Sequence, residues 1–272
     1  MLSYQHSYHA GNLADVHKHA VLASILSYLI KKDKPVTYIE THSGRGLYDL
    51  GGAEALKTRE ASFGIANPAV LGWFPADHPY RQVIDAIRAQ WGQDAYPGSP
   101  LLAAEILRAK DVIHLAELHP AEYEALATCL GHRAHIYRED GFRLAERLCP
   151  PTPRRGILMV DPSYELDSDY ATVPRLVERI HSKWNVGMVL IWYPLLLSGC
   201  HQGMVQALSD VVADGVHHQV RFPVAREGHR MVGSGLFLVK MPYGLDDELI
   251  RLSARFDSLL SAMSQARLTG IV

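Results

Sequence analysis

The hydrophobic positions of this chain follow two spacings in turn. From Pro35 onward, short runs rich in β-branched and apolar residues alternate with stretches in which apolar residues recur every three to four positions. The first spacing predicts strands, the second predicts helices, and their alternation predicts an α/β fold with a parallel sheet. The predicted strands are Val36–Thr41, Val112–Leu118, Ala134–Arg138, Ile157–Val160, Met188–Tyr193, His218–Val224 and Leu236–Met241. The predicted helices are Asp15–Ile30, Leu101–Arg108, Ala121–Leu130, Tyr170–Ser182, Met204–Asp214 and Asp246–Met263.

One interval, from Gly51 to about Gly92, breaks this alternation. It carries two helical patterns, Ala53–Phe63 and Tyr80–Trp91, with turn signals between them and no strand pattern. We interpret residues 51–92 as a small helical insertion in a single domain that spans residues 1–272.

Composition narrows the class of protein. The 272 residues are 48% hydrophobic and 21% charged, which is typical of a globular domain with a sizeable core. No apolar run is long enough to cross a bilayer, no signal-peptide pattern opens the chain, and the three cysteines form no CxxC pair. We therefore expect a cytoplasmic protein with no membrane partner. Its net charge is −2, so a nucleic-acid partner would need a local basic face.

The most informative motif follows the fourth predicted strand. Ile157–Val160 leads directly to Asp161-Pro162-Ser163-Tyr164, and the carboxyl end of a parallel strand is where α/β folds bind ligands. This turn is similar to the signature of enzymes that methylate the exocyclic amine of a nucleobase. Asp161 and the Pro162 carbonyl can accept the amine hydrogens while the Tyr164 ring stacks on the base. The alternative is an ordinary helix start, because Asp and Pro are common there.

Three further predicted strands also end in an acid. Glu40 precedes Ser43-Gly44-Arg45-Gly46, where small residues permit a sharp turn and close approach to a ligand. This loop is similar to the first motif of S-adenosylmethionine-dependent methyltransferases. Glu117 is suited to a ribose diol, and Asp140 is suited to an adenine amine. Since strand ends converge at one sheet edge, we expect these carboxylates to face the same crevice as Asp161.

Several segments taken together resemble the RlmJ family of large-subunit ribosomal RNA adenine-N6 methyltransferases. The most distinctive is the opening segment, Met1–Asn12, which continues through Asp15–His19. The resemblance then runs in order through nearly the whole chain. Its other segments are Thr41–Gly46, Tyr96–Pro100, Glu117–Pro120, Asp140-Gly141, Arg154–Glu165, Trp192–Pro194 and Gly233–Gly235.

The resemblance implies a Rossmann-like class I methyltransferase with S-adenosylmethionine as its cofactor and no metal. It implies direct in-line methyl transfer to a flipped-out adenine of large-subunit ribosomal RNA, deproteinised or in an early precursor, by a monomer. Tyr4 and Lys18 would lie beside that adenine together with Tyr164, and Asp161 would be the catalytic acceptor. The implied cofactor site comprises His19, His42, Ser99, Glu117, Asp140, Gly141 and Asp161.

Two departures from the family pattern stand out. Ser163 replaces a second proline in the Asp161–Tyr164 turn, which makes the loop less rigid but keeps the Pro162 carbonyl. Arg45 occupies a position that is small in relatives, where it would meet the cofactor carboxylate, a phosphate or solvent.

Three other functions stay open at this point. A metal-dependent hydrolase would draw its ligands from Asp161 and five histidines, although His17 and His19 diverge on a helix because they lie two positions apart. A non-catalytic nucleic-acid-binding protein would need a shared basic face. The third is a DNA-directed role, in the use of external DNA as a nutrient. The five histidines are His6, His9, His17, His19 and His42, and the basic face would comprise Lys18, Arg45, Arg154, Arg155 and Arg230.

Overall fold

A computed structural model describes residues 5–224 and 230–268 of the chain. Nine strands lie within these residues, seven in one sheet and two in a separate antiparallel pair. The strands are β1 (Thr37–Glu40), β2 (Leu47–Asp49), β3 (Ala95–Pro97), β4 (Val112–Ala116), β5 (His135–Tyr137), β6 (Gly156–Val160), β7 (Met188–Leu196), β8 (Val216–Arg221) and β9 (Met231–Val239).

The large sheet has the spatial order β5-β4-β1-β6-β7-β9-β8. Strand β1 lies in the middle, parallel to β4 and β6, with Tyr38 opposite Ile113 on one side and Ile157 on the other. Only β9 runs against its neighbours in this sheet, since it pairs antiparallel with both β7 and β8. The predicted α/β fold with a mostly parallel sheet is confirmed.

Ten α-helices lie within the described residues. They are α1 (Leu13–Ile30), α2 (Ala53–Thr58), α3 (Pro68–Leu71), α4 (Pro79–Trp91), α5 (Ser99–Ile106), α6 (Pro120–Leu130), α7 (Gly141–Leu148), α8 (Asp167–Lys183), α9 (His201–Val211) and α10 (Leu245–Leu268). No helix in residues 5–224 or 230–268 is long and apolar enough to span a membrane.

Strand β9 begins earlier than its hydrophobic pattern indicates. The prediction started at Leu236, whereas β9 starts at Met231, because Gly233-Ser234-Gly235 hides the strand signal. The glycine at 235 is needed because a Cβ there would lie 2.1 Å from a Tyr193 ring atom on β7. The sequence pattern also missed β2, β3, α3 and α7, each of which is short.

Helix α1 positions the site. The Asn12 side chain accepts a hydrogen bond from the Asp15 backbone N–H and caps the helix. The helix then lies between the sheet, at β7 and β9, and helices α4, α5 and α10. It is therefore buried on almost every side, and Asp15, His17 and Lys18 are buried with it. Polar groups buried in this way must find partners, and those partners build the site.

Residues 51–92 form α2, α3, α4 and a short 3-10 turn, and the antiparallel pair β2–β3 flanks them. This segment contacts the start of α1. The Ile65 N–H donates to the Gly11 carbonyl at 2.9 Å, and the Asn12 side-chain amide donates to Glu60 Oε2 at 3.0 Å. Our interpretation of these residues as an insertion in a single domain stays a prediction.

Candidate active site

The centre of the site is an ion pair at the carboxyl end of β6. Lys18 Nζ donates to Asp161 Oδ2 at 2.6 Å, and the two side chains are only 6% and 12% exposed. Burial by itself would lower the pKa of Lys18, but the carboxylates of Asp161 and Asp15 hold that pKa above its usual value. Lys18 is therefore a permanent cation. Within the described residues, no hydrogen bond engages the other carboxylate oxygen of Asp161, Oδ1.

A second carboxylate, that of Asp15, holds Lys18 in place from the first turn of α1. Asp15 Oδ1 lies 3.1 Å from Lys18 Nζ, while its Oδ2 accepts from the Gly11 N–H at 2.9 Å and contacts His6 Nε2 at 2.8 Å. Burial would raise the pKa of Asp15, yet His6, Lys18 and His19 together hold it well below its usual value. Asp15 thus fixes the lysine while leaving it paired with Asp161.

The loop after β1 and the end of β4 form one wall of the crevice. Gly44 has a φ of 63°, which favours glycine, and its N–H donates to Glu117 Oε2 at 2.8 Å. The His119 N–H donates to Glu117 Oε1 at 2.7 Å, so the carboxylate is fixed by two backbone groups. Each carboxylate oxygen retains acceptor capacity, which suits two ribose hydroxyls.

A neighbouring wall comes from the end of β5. Asp140 caps α7 by accepting from the Arg143 N–H at 3.0 Å through Oδ1, and the residue is exposed. Gly141 must be glycine, because a Cβ there would lie 1.7 Å from the Thr41 carbonyl oxygen. His42 packs edge-on against Phe142 at 5.0 Å between ring centroids, and burial lowers the pKa of its ring to about 4. These three predicted cofactor residues therefore meet where α7 touches the end of β1.

Glu40 and Ser99 turn away from this crevice. Glu40 is fully buried, accepts from the Tyr38 hydroxyl at 2.9 Å, and is hydrogen-bonded by the Ser99 hydroxyl. The expectation that all four acids face the crevice therefore fails for Glu40, because it lies behind the first turn of α5. Ser99, a predicted cofactor residue, is engaged with Glu40 and only 5% exposed.

His19 lies on the side of α1 that faces α4 and β3. Its Nδ1 is 2.7 Å from the Tyr96 hydroxyl, which is in turn 2.9 Å from the Tyr80 hydroxyl. Burial lowers the pKa of His19 to about 3, so the ring is neutral. Its Nε2 and the Ser43 hydroxyl are buried polar atoms with no hydrogen-bond partner among the described residues. Buried polar atoms of this kind are expected where a polar ligand binds.

Tyr164 lies in the predicted turn with a φ of 54°. Its ring is 7% exposed, lies 4.7 Å from the Tyr170 ring centroid, and donates its hydroxyl to the Trp192 carbonyl at 2.7 Å. The ring is thus held inside the fold, with no free face for a base. Tyr4, the other predicted aromatic, lies outside the described residues.

The basic face of the pure-binding hypothesis does not form as one surface. Arg45 donates twice to Glu122 on α6, at 2.9 and 2.7 Å, and is therefore engaged with a carboxylate while partly exposed. Arg154 and Arg155 precede β6 and lie at the opposite sheet edge from Asp161, where they donate to backbone carbonyls. Lys18 is paired with Asp161, so three different regions hold these four cations.

The hydrolase hypothesis also meets a geometric obstacle. His17 Nδ1 contacts the Ser234 hydroxyl at 2.8 Å, whereas His19 Nδ1 contacts Tyr96 on another side of α1. In the described part of the chain, no group of three or more His, Cys, Asp or Glu side chains is arranged to hold a metal ion.

Two residues that fix Lys18, Asp15 and His6, were not predicted from the sequence in that role. Trp192 lies beneath Lys18, with the ammonium 5.6 Å from the indole ring centroid. The sequence left Trp192 open between packing and substrate contact, because it ends a predicted strand near the crevice. The spacing of Asp15 and Lys18, three positions apart on a helix, was the available signal for Asp15. His6 and Trp192 come close only through the tertiary fold.

The sheet order, the glycine loop after β1 and the acids at the strand ends define a class I methyltransferase. The family model RsmJ, described as "Ribosomal RNA large subunit methyltransferase D, RlmJ", matches residues 33–270. The chain belongs to this family, which confirms the predictions of an RNA methyltransferase and of S-adenosylmethionine as its cofactor.

Individual relatives agree over most of the chain. The ribosomal RNA large subunit methyltransferase J of Escherichia coli K12 is 36% identical over 256 residues, covering 92% of this chain and 90% of that protein. The Haemophilus influenzae protein of the same name is 35% identical over 262 residues, with the same two coverages. The crystal structure of protein LPL1258 from Legionella pneumophila superposes with a TM-score of 0.84 at 32% identity, covering 93% of this chain and 94% of that one.

Proposed function

We propose that this enzyme methylates the exocyclic N6 amine of an adenine in large-subunit ribosomal RNA. The observation that carries the proposal is the half-engaged carboxylate of Asp161. Lys18 occupies Oδ2, while Oδ1 has no hydrogen-bond partner among the described residues and stays available to a substrate amine. The relatives are named for ribosomal RNA of the large subunit, which supports that substrate class.

The residues around Asp161 suit the chemistry of an exocyclic amine. Such an amine is a poor nucleophile because its lone pair is delocalised into the base. Two acceptors for its hydrogens, Asp161 Oδ1 and the Pro162 carbonyl, favour a tetrahedral nitrogen whose lone pair points away from the ring. When bound, S-adenosylmethionine supplies an electrophilic methyl group for direct in-line transfer. Positioning by these fixed groups then provides much of the rate.

Lys18 holds the acceptor in place. Its ammonium donates to Asp161 Oδ2 at 2.6 Å, which fixes the carboxylate and leaves Oδ1 for the substrate amine. Asp15 prevents Lys18 from moving toward solvent.

The cofactor-binding roles rest on the crevice walls. We expect Glu117 to bind the ribose hydroxyls, Asp140 and Gly141 to contact the adenine ring, and His42 to line the cofactor site beside them. The unpartnered atoms at His19 Nε2 and Ser43 Oγ support a polar ligand at this site. Ser99 acts indirectly, through its hydrogen bond to Glu40.

The low exposure of Asp161 supports a flipped-out base. An amine within a duplex does not reach a carboxylate that is 12% exposed. We expect naked or early-precursor RNA to be the substrate, a monomer to be the active form, and the cytoplasm to be its location.

The test is transfer of labelled methyl from S-adenosylmethionine to three acceptors: deproteinised large-subunit RNA, intact large subunits and genomic DNA. Wild type is compared with Asp161→Asn, which keeps the shape of the side chain. N6-methyladenine in deproteinised RNA, lost in the variant while calorimetry shows that the cofactor still binds, is the expected result. Label in DNA alone, or equal transfer by Asp161→Asn, would overturn the proposal.

A further inference from the structure

Among the residues that the structure describes, Trp192 is the aromatic side chain best placed to meet a base at Asp161. It follows Ile191, which pairs with Val160 across β6 and β7, so Trp192 lies beside the residue that follows Val160, Asp161. Neighbouring positions on β7, Leu190, Ile191 and Tyr193, are fully buried, whereas Trp192 is half-buried. The indole therefore reaches the crevice from a rigid central strand.

One face of the indole is directed toward Lys18 and Asp161. Lys18 Nζ lies 5.6 Å from the ring centroid and 2.6 Å from Asp161 Oδ2, so the cation marks the face directed at Asp161. The Trp192 carbonyl also accepts the Tyr164 hydroxyl at 2.7 Å. Tyr164, whose ring is enclosed, therefore supports Trp192 from behind the site.

A buried chain of hydrogen bonds fixes the angle of the indole. Trp192 Nε1 donates to the Ser234 hydroxyl at 2.9 Å, and that hydroxyl lies 2.8 Å from His17 Nδ1. His17 Nε2 lies 2.9 Å from His218 Nδ1, and His218 Nε2 lies 2.7 Å from the Ser253 hydroxyl on α10. Ser234 and His17 are both fully buried.

The direction of these bonds follows from the indole, which is only a donor. Ser234 accepts from Trp192, so its own buried hydrogen goes to its other partner, His17 Nδ1. His17 then carries its hydrogen on Nε2 and donates to His218 Nδ1. Burial lowers the pKa of His17 well below its usual value, in agreement with a neutral ring. In this tautomer every buried donor of Trp192, Ser234 and His17 has an acceptor, which holds the angle of the indole.

We infer that the indole of Trp192 is the surface on which the target adenine stacks, with Ser234 and His17 as positioning residues that hold its angle. This inference rests on the proposed function for the identity of the base. An adenine that presents its amine to Asp161 Oδ1 lies against the marked face and shares it with Lys18. Stacking on aromatic rings is the usual way in which proteins hold unpaired bases.

The first test compares Trp192→Leu with Trp192→Phe in methyl transfer at varied RNA concentration. Loss of a stacking surface is expected to lower kcat/KM for RNA by about 10- to 100-fold, through a raised KM. Phenylalanine keeps a ring face and is expected to stay within about fivefold of wild type. Trp91→Leu, which removes an exposed tryptophan from α4, is the matched control. Equal KM values for wild type and Trp192→Leu would overturn the inference. It would also be overturned if Trp192→Leu weakened cofactor binding as much as RNA binding.

A second test detects stacking without methyl transfer. Free adenosine is titrated against tryptophan fluorescence in wild type, Trp192→Phe and Trp91→Leu. Quenching that is present in wild type and Trp91→Leu but absent in Trp192→Phe is expected. Quenching that survives Trp192→Phe, or none in wild type, would overturn the inference. This result is independent of whether ribosomal RNA proves to be the substrate, so the two proposals fail separately.

The positioning role is tested at His17. Asn keeps an acceptor near the Nδ1 position, so His17→Asn retains the bond from Ser234, whereas His17→Leu removes it. Half-saturation by adenosine is expected to rise by about 5-fold or more in His17→Leu and to stay within about twofold in His17→Asn. A merely structural role would lower the Tm of both variants and leave half-saturation unchanged, which would contradict positioning.

Discussion

Two carboxylates at the ends of adjacent strands have opposite electrostatic surroundings. Asp161, after β6, contacts the Lys18 ammonium at 2.6 Å and retains 12% exposure. Glu40, at the end of β1, is fully buried, and among the described residues its hydrogen-bond partners are the hydroxyls of Tyr38 and Ser99. Burial raises the pKa of Glu40 to about 8, and the nearby negative charge of Asp161 adds to that shift.

The difference separates two uses of an acid at the ends of adjacent strands. Asp161 accepts from the Lys18 ammonium through Oδ2, and its Oδ1 has no hydrogen bond among the described residues. At Glu40, burial outweighs the charge of Lys18, so Glu40 keeps a proton at neutral pH and serves as a neutral link between β1 and the first turn of α5. Position at a strand end is shared by both, so the partner decides the role.

The largest effect is expected from removing the cation. Lys18→Met leaves Asp15 and Asp161 facing each other without a counter-charge. Breaking a buried pair in this way is expected to lower the free energy of unfolding by about 3–5 kcal/mol. We expect methyl transfer to fall by about 100-fold or more as well, because Asp161 loses the partner that holds its carboxylate in position.

Denaturant unfolding and single-turnover transfer measure the two effects. Lys18→Arg, which keeps the charge, is the control and is expected to retain most of the stability. A Lys18→Met protein as stable as Lys18→Arg would show that Asp161 does not depend on its cation, and the contrast with Glu40 would be lost.

Glu40→Gln tests the other carboxylate. The ordinary pKa of 4.5 applies to the unfolded chain, and the folded value is about 8. Between these values the folded protein holds a proton that the unfolded chain has released, so stability is present below pH 4.5 and is lost as pH rises through 8. The loss in wild type is expected to be on the order of a few kcal/mol. Gln mimics the protonated acid, so Glu40→Gln should be flatter across this window.

Unfolding free energies at pH 5, 6.5 and 8 for wild type and Glu40→Gln test this expectation. The difference between the two curves isolates Glu40 from other groups, such as His19, whose depressed pKa makes stability fall as pH drops below 6.5. Parallel curves would mean that Glu40 is ionised in the fold.

The contrast between Glu40 and Asp161 also shows what sequence reasoning reached. Strand ends were predictable because apolar runs such as Ile157–Val160 stop at an acid. Glu40 ends β1, Glu117 and Asp161 directly follow β4 and β6, and Asp140 lies three residues after β5. Which acid turns inward was not predictable, because it depends on Ser99, 59 positions away from Glu40. The burial of Tyr164 and the support of Trp192 by His17 likewise arise from contacts between distant segments.

A partly exposed ion pair, Arg45–Glu122, is expected to lose less unfolding free energy than Lys18–Asp161 when its cation is removed. Arg45 is 28% exposed and donates two hydrogen bonds to Glu122, which is 5% exposed. Arg45→Met leaves a buried carboxylate without its partner, and we expect a loss of about 1–3 kcal/mol in unfolding free energy. Because Arg45 faces Glu122 and not the crevice, cofactor affinity measured by calorimetry should stay within about twofold. A large drop in affinity would place Arg45 in the cofactor site and remove it from this series of ion pairs.

The smallest effect is expected at an exposed pair that resembles Lys18–Asp161 only in chemistry. Arg81 and Asp85 lie four positions apart on α4, 2.8 Å from each other, with side chains 29% and 48% exposed. Water screens both charges, so Arg81→Ala is expected to change unfolding free energy by about 0.3–0.5 kcal/mol and to leave methyl transfer unchanged. Denaturant unfolding at low and high salt measures the contribution of this pair to the unfolding free energy. That contribution is expected to fall as salt rises, because salt screens exposed charges. A loss as large as that of Lys18→Met would mean that burial is not what distinguishes the pair at Asp161.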